Sequence, residues 1–466
     1  MGALDPGIRR KLFYAMATLF ALVTPLTLLY SQGYILDFQQ GGIVATGGIF
    51  VKASPPGVRV IVTPEEQTRE TSLISRGALF AGLIPRRYTV RVEKDKYQTW
   101  QKSVRVNSEE VLEFRDVLLP PAATPPSIVF TARPAETAAA SMLIGRRDIA
   151  ITANASSQGT SVFVVDPVTR QVRLNFIRLD SWHWDAATRT FIIGRIIDGK
   201  REWYRLRADA EGKEERIAFR GLPAGFAPDQ VLPHPTNAGQ IFFSANNALF
   251  LQGNAAVPTP IAESIHAYAI GAGRIYYLTQ NGFFVESDLV GQNVRILGRK
   301  GLFLSNESPA RIEIGPDGTA AVLDSAGGLF VFQPDRDQEL QLVLSNVRDI
   351  EFAASGDRML IWNPSHMWIY WLRDNPRQPF DLAGTRQQIL ALAEPILGAQ
   401  LDADGTHIFF ATADSIRMTE IDIRGAPNIH QIVGAPIDSF ALDRDSRTIY
   451  WTRGPTLYRA TMEPAE

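Results

Sequence analysis

The chain has 466 residues, 45% of them hydrophobic and 21% charged, which is the balance of a folded globular protein and not of a disordered one. Lysine plus arginine (47) nearly equals aspartate plus glutamate (49), so the net charge is −2 and no field of one sign invites nucleic acid. Cysteine is absent, which excludes disulfides, thiolate metal sites, cysteine nucleophiles and a lipoprotein thioether.

Residues 12–30, LFYAMATLFALVTPLTLLY, carry no charge. As a helix rising about 1.5 Å per residue they span roughly 28 Å, close to the hydrocarbon thickness of a bilayer. Tyr14 and Tyr30 stand near the two ends, where amphipathic rings favour the interface, and membrane helices tolerate a kink such as Pro25 imposes. Arg9, Arg10 and Lys11 precede the stretch, and no basic residue follows until Lys52. The positive-inside rule therefore keeps residues 1–11 cytoplasmic and sends the remainder across the membrane. A cleaved signal peptide shares the basic start. Here the apolar stretch exceeds the usual length and no small-x-small cleavage site follows, so a retained anchor is the reading.

Residues 31–46 form a short stalk in this reading, and residues 47–119 alternate with period two. GIFVKASP, VRVIVTP, YTVRVEK, KSVRV and VLEFRDVLL each set valine or isoleucine against charged neighbours, which predicts strands with one buried and one wet face. Pro55-Pro56-Gly57 and Pro85-Arg86-Arg87 supply turns, and the prediction is a compact antiparallel β-sandwich. The pieces GGIFVKASPPGVRVIV and LIPRRYTVRVEKDKYQTWQKSVRV resemble the PEGA domain family, small exported β-sandwich modules of bacterial surface proteins. Leu83, Pro85, Tyr88, Val90, Val92, Lys94, Tyr97 and Trp100 keep that family's order. Val58, Arg86 and Lys96 depart from it, since the family usually has alanine at the first and glycine at the other two. The resemblance implies a fold and no catalytic site, and Tyr88, Tyr97 and Trp100 are expected to pack.

Residues 120–126 (PPAATPP) are a stiff proline-rich linker. Over residues 127–466 strand–turn–strand units recur at a period of roughly 42 residues, the length of a four-stranded propeller blade. Turns are expected at Gly145-Arg146, Ala186–Thr188, Asn237–Gly239, Gly271–Gly273, Pro316–Gly318, Ser355–Asp357, Asp404-Gly405 and Asp445-Ser446. An apolar strand follows each: DIAIT, TFIIG, QIFFS, RIYYL, TAAVL, RMLIW, HIFFA and TIYWT. IGPDGTAAVL and LDADGTHIFFA resemble the turns of TolB-like and WD-repeat-like propellers. The final unit has room for about three strands, so SIVFTA at 127–132 is expected to pair with it and close the ring, leaving no exposed edge there. Eight blades are predicted, with seven as the alternative.

Motifs for chemistry are sparse. The six histidines, His183, His234, His266, His366, His407 and His430, show no H-x-H or H-E-x-x-H spacing. Asp402-Ala-Asp404-Gly405 starts like a calcium loop but runs on into a strand, so a turn aspartate explains it better. Ser355-Gly-Asp357 partly resembles a sialidase Asp-box without its glycine, and Asn154 and Asn306 head formal glycosylation sequons. WNPSHMWIYW is the most aromatic run. Trp362, Trp368 and Trp371 are candidate ligand-contact residues, although Trp368 and Trp371 point to opposite faces of a strand and packing is the competing reading.

The expected function is that of a non-catalytic, membrane-anchored binding or scaffolding protein of a bacterial cell envelope. It would carry no cofactor or metal, and its propeller would offer a surface to a protein, peptide or glycan. The alternative is a propeller enzyme, a hydrolase or oxidoreductase, with its site assembled in the central channel. His183, His266, Asp349 and Asp438 are the residues whose convergence would favour it. A quinone-type dehydrogenase is disfavoured by the missing cysteine pair.

Overall fold

The computed structural model describes residues 6–31, 33–37, 42–72, 74–131, 140–144, 150–156, 159–166, 169–170, 172–185, 190–207, 213–219, 221–222, 228–237, 239–253, 255, 257–298, 310–337, 339–444 and 447–462. The turns expected at Gly145-Arg146, Ala186–Thr188 and Asp445-Ser446, residue Ala238 of a fourth, and the sequon at Asn306 lie outside these residues. The chain divides into two compact units. One holds residues 1–122 with the short segments 377–379 and 423–428, and the other holds the rest.

In the first unit, Pro6–Ser31 is one α-helix containing Pro25. Its stretch Arg10–Leu29 is long and apolar enough to serve as a membrane anchor or a signal sequence, and none of it is buried. Within the segment read as a stalk, Tyr34–Asp37 and Gly42–Ala45 pair as an antiparallel hairpin. Two sheets follow. One orders Gly77–Leu83, Gly47–Ser54 and Val111–Leu118, and the other orders Gln67–Glu70, Arg59–Thr63, Arg87–Glu93 and Trp100–Arg105. They enclose one core in which Ile49, Val60, Phe80, Tyr88, Val90 and Trp100 are all buried, and Tyr97 packs on its edge. Tyr88 and Trp100 are thus core residues, and the Tyr88 hydroxyl donates to Glu65 Oε1 (2.9 Å).

The sandwich departs from the antiparallel expectation in one place: Gly47–Ser54 and Val111–Leu118 run parallel. Parallel neighbours need a long crossover, and here the whole second sheet provides it. Backbone groups on the outer strands are paired within the unit. Gln378 accepts from Glu113 N–H (3.0 Å) and donates to the Val111 carbonyl (2.9 Å), while Asn428 accepts from Gln101 N–H (3.0 Å).

Among the described residues, the second unit forms eight four-stranded antiparallel sheets. In chain order, blades 1 to 7 begin at Ala140, Ser181, Gln230, Ile265, Arg311, Asp349 and Gly398. Blade 8 takes Ser439–Asp443, Thr448–Arg453 and Thr456–Thr461 from the C-terminal end of the chain. Its outermost strand is Ser127–Thr131, paired antiparallel with Thr456–Thr461. Eight blades are therefore present, and the strand after the proline-rich linker closes the ring. First strands of several adjacent blades lie side by side, including Ile265–Gly271 beside Arg311–Ile314 and, across the closure, Ala140–Ile144 beside Ser439–Asp443.

Each predicted apolar strand is the second strand of its blade. It sits inside the sheet with a neighbouring blade on either face, so it reads as a continuous apolar run instead of an alternating one. In blade 7 every residue of His407–Ala411 is buried. Layers such as Leu360, Trp371, Ile389, Leu401 and Phe410 between blades 6 and 7 form the core. The turns before these strands need a left-handed residue, and Gly318 (φ 85°) and Gly405 (φ 65°) provide it.

Candidate functional site at the propeller axis

The innermost strands set two registers of side chains. Residues of one register face the preceding blade and are apolar: Trp182 and Trp184 in blade 2, Ile312 and Ile314 in blade 5, Ile350 and Phe352 in blade 6, Ala399 and Leu401 in blade 7. The other register is polar in the same blades, with His183, Arg311, Glu313, Asp349, Glu351 and Gln400. Strand alternation makes this division unavoidable once the first register is packed.

The polar register links one blade to the next. Arg311 forms an ion pair with Glu313 (Nε to Oε1, 3.2 Å) and donates from Nη2 to Asp349 of blade 6. Glu351 Oε2 accepts from Leu401 N–H of blade 7 (2.7 Å), and its Oε1 pairs with Arg444, which follows the first strand of blade 8. Gln400 Oε1 accepts from Leu442 N–H of blade 8 (2.7 Å). Arg348 donates to the Ile396 carbonyl (3.1 Å). Burial holds the Glu313 carboxyl above the ordinary glutamate range; Arg311 opposes this and the Asp349 charge adds to it. Such a row of carboxylates, guanidinium groups and an amide can recognise charged or hydrogen-bonding groups. Among the described residues, no three histidine, aspartate or glutamate side chains gather to hold a metal ion.

Of the four residues whose convergence was at issue, His183, His266 and Asp349 lie on innermost strands, and Asp438 immediately precedes one. Their bonds run elsewhere. His266 Nε2 accepts from Ala310 N–H (3.4 Å), Asp349 meets Arg311, and Asp438 accepts from Gly454 N–H (2.6 Å). Burial lowers the His183 pKa, with Asp185 acting against it.

The aromatic run occupies blade 6. Trp362 and Trp371 are buried in the layer against blade 7, whereas Trp368 is half-buried in the layer against blade 5. The Arg358 guanidinium lies over the Trp371 ring, 4.4 Å from its centroid. Trp368 stacks on His366 with centroids 5.3 Å apart, and Trp368 and Tyr370 are the half-buried aromatics of the run. Asp402 accepts from Thr406 and His407 N–H (2.8 and 3.1 Å), as a turn aspartate does, and its carboxyl lies 3.2 Å from the His407 ring. Burial opposes ionisation of Asp402, but its bonds to His407 prevail and lower its pKa.

The sequence reading singled out Asp349 and His183 but missed Glu313, Glu351 and Gln400. A signal for them exists: each is the second-last residue of an innermost strand, in RIEI, DIEF and GAQL.

No protein-family model matches the chain, and no curated protein matches it. Similar solved structures include the Cps50 (Swd1) β-propeller domain of Myceliophteria thermophila (10% identity, 72% of this chain and 99% of that one, TM-score 0.42). A eukaryotic initiation factor (10%, 78% and 89%, TM-score 0.47) and the computationally designed Ika8 protein (11%, 72% and 99%, TM-score 0.47) are also similar. By its own strand pairing, the chain is an all-β protein built around an eight-bladed propeller, and among the described residues it has one apolar helix, near the N-terminal end.

Proposed function

We propose that this chain is a membrane-anchored binding or scaffolding protein of a bacterial cell envelope. The helix is its single-pass anchor with the N-terminus cytoplasmic. The sandwich, which resembles PEGA modules, is a spacer, and the propeller presents an interaction surface to a protein, peptide or glycan outside the cytoplasm. The observation that carries this reading is the apolar stretch Arg10–Leu29, none of which finds a protein surface to cover it. A water-exposed apolar helix of that length is costly, and a bilayer removes the cost. The basic residues Arg9, Arg10 and Lys11 set the orientation. The polar row on blades 5 to 8 and the half-buried Trp368 supply recognition chemistry.

Alkaline carbonate washing of membranes from cells expressing the full chain tests the anchor. The wild type stays in the pellet. The double substitution Leu19→Arg and Leu22→Arg places two charges mid-span, each costing about 2.5–3.5 kcal/mol of insertion free energy, and moves the chain to the supernatant. Release of the wild type by the wash would overturn the reading.

A further inference from the structure

Between helix and sandwich lies the hairpin Tyr34–Asp37/Gly42–Ala45, which neither unit's core absorbs. Its strands read YILD and GIVA. The register pairs Tyr34 with Ala45 and Ile35 with Val44. Strand alternation then puts Tyr34, Ile43 and Ala45 on one face and Ile35 and Val44 on the other. The first face, which Leu36 joins by register, is apolar, whereas the second adds Asp37 to Ile35 and Val44. None of Tyr34, Ile35, Ile43, Val44 and Ala45 belongs to the sandwich core, none is fully buried, and Ile43 is 54% exposed. A lone two-stranded hairpin is marginal in water at best, and one whose apolar face is covered by no protein core gains little from water.

The hairpin is nevertheless held in a defined place. Thr46 donates from both N–H (2.8 Å) and Oγ1 (2.6 Å) to the Gly33 carbonyl, Glu109 N–H donates to the Thr46 carbonyl (2.9 Å), and the Tyr34 hydroxyl reaches Glu109 Oε1 (3.3 Å). Ser31 ends the helix and Tyr34 begins the strand, and the helix end lies beside that strand. Three residues of chain reach about 11 Å when fully extended, and the headgroup layer on each side of a bilayer is about 5–8 Å deep. A helix inserted to Leu29 therefore delivers the hairpin to the lipid headgroup region.

We infer that this hairpin is an interfacial membrane element. Its apolar side chains rest in the boundary between headgroups and acyl chains, and its bonds to Thr46 and Glu109 fix the tilt at which the sandwich leaves the membrane. The inference rests on the anchor reading and adds a second lipid contact to it. The partner is the lipid interface, because the surface is apolar, carries a tyrosine suited to that zone and is covalently continuous with the span.

The absence of cysteine permits single labels without background. Ile43→Cys, Leu22→Cys and Ile74→Cys, the last an exposed loop residue at 96% exposure, each receive an environment-sensitive fluorophore. The full chain is then reconstituted into phosphatidylcholine–phosphatidylglycerol vesicles containing nitroxide lipids with the quencher either near the headgroup or deep in the acyl chain. The expected result is quenching at position 43 several-fold stronger with the headgroup-proximal nitroxide than with none, and the deep nitroxide acting best at position 22. Position 74 stays unquenched. Quenching at 22 with none at 43 overturns the interfacial hairpin and leaves the anchor standing. No quenching at 22 or 43 removes both.

Discussion

Replacing Glu351 with alanine tests whether the polar register locks the ring. This carboxylate touches two other blades: it accepts from Leu401 N–H of blade 7 and pairs with Arg444 of blade 8. Its side chain is 17% exposed and that of Arg444 33%, so the pair lies between the surface and the interior. Breaking a fully buried pair costs about 3–5 kcal/mol, and an exposed one contributes about 0.2–1 kcal/mol. An intermediate value of about 2 kcal/mol fits this burial. The orphaned Leu401 N–H adds up to about 1 kcal/mol, less than fully because water enters the gap. Glu351→Ala should therefore destabilise the propeller by about 2–3 kcal/mol. Glu351→Gln keeps an acceptor for Leu401 and should lose only about 1–2 kcal/mol. The assay is urea unfolding followed by tryptophan fluorescence, run as a double-mutant cycle with Arg444→Met, where the coupling should be about 1–2 kcal/mol. A loss below about 0.5 kcal/mol for Glu351→Ala, or no coupling, would show that the blades are held by apolar packing alone.

Other substitutions probe separate parts of the account. Burial keeps the folded-state pKa of His183 below its unfolded value, so below about pH 6.5 the unfolded chain binds a proton that the folded chain resists. Stability conferred by a neutral His183 is present above that pH and is lost as the pH falls; His183→Gln should flatten the acid side of a plot of urea midpoint against pH. Trp371→Ala removes a buried ring and uncovers Arg358, for an expected loss of about 3–5 kcal/mol by urea titration, whereas Trp362→Phe deletes a buried indole N–H that has no partner and should cost under about 1.5 kcal/mol. Gly405→Ala places a side chain at φ 65° with its Cβ 3.3 Å from that of Ala353, and should lower the urea midpoint by an amount worth about 1–2 kcal/mol. Val129→Asp puts a charge at a buried position of the closing strand and should increase proteolysis near the blade 8 closure, read by mass spectrometry of limited digests.

The fold was legible wherever local chemistry and tertiary packing pointed the same way. PDG and DADG demand turns, and the apolar runs after them had to be buried on two faces, so TAAVL and HIFFA fell into place as second strands. The closing strand could be placed because the last repeat was one strand short. The parallel pairing of Gly47–Ser54 with Val111–Leu118 was not legible, since alternation describes a strand's two faces and is silent about its partner's direction. Glu215–Arg216, the outermost strand of blade 2, is too short to leave a periodic signal. The axial polar row escaped because each member looks like an ordinary strand residue. Only superposing RIEI, DIEF and GAQL shows that Glu313, Glu351 and Gln400 occupy one position. The tryptophans were conspicuous by composition, yet period-two alternation already divided Trp368 from Trp371, as their separate layers now do.

Topology across the membrane bears most directly on the account. Intact cells displaying the full chain with a C-terminal epitope, their outer barriers permeabilised and the cytoplasmic membrane left sealed, should lose the epitope to added protease while a tag placed before Arg9 survives. Survival of the C-terminal epitope together with digestion of the N-terminal tag, or survival of both, would contradict it.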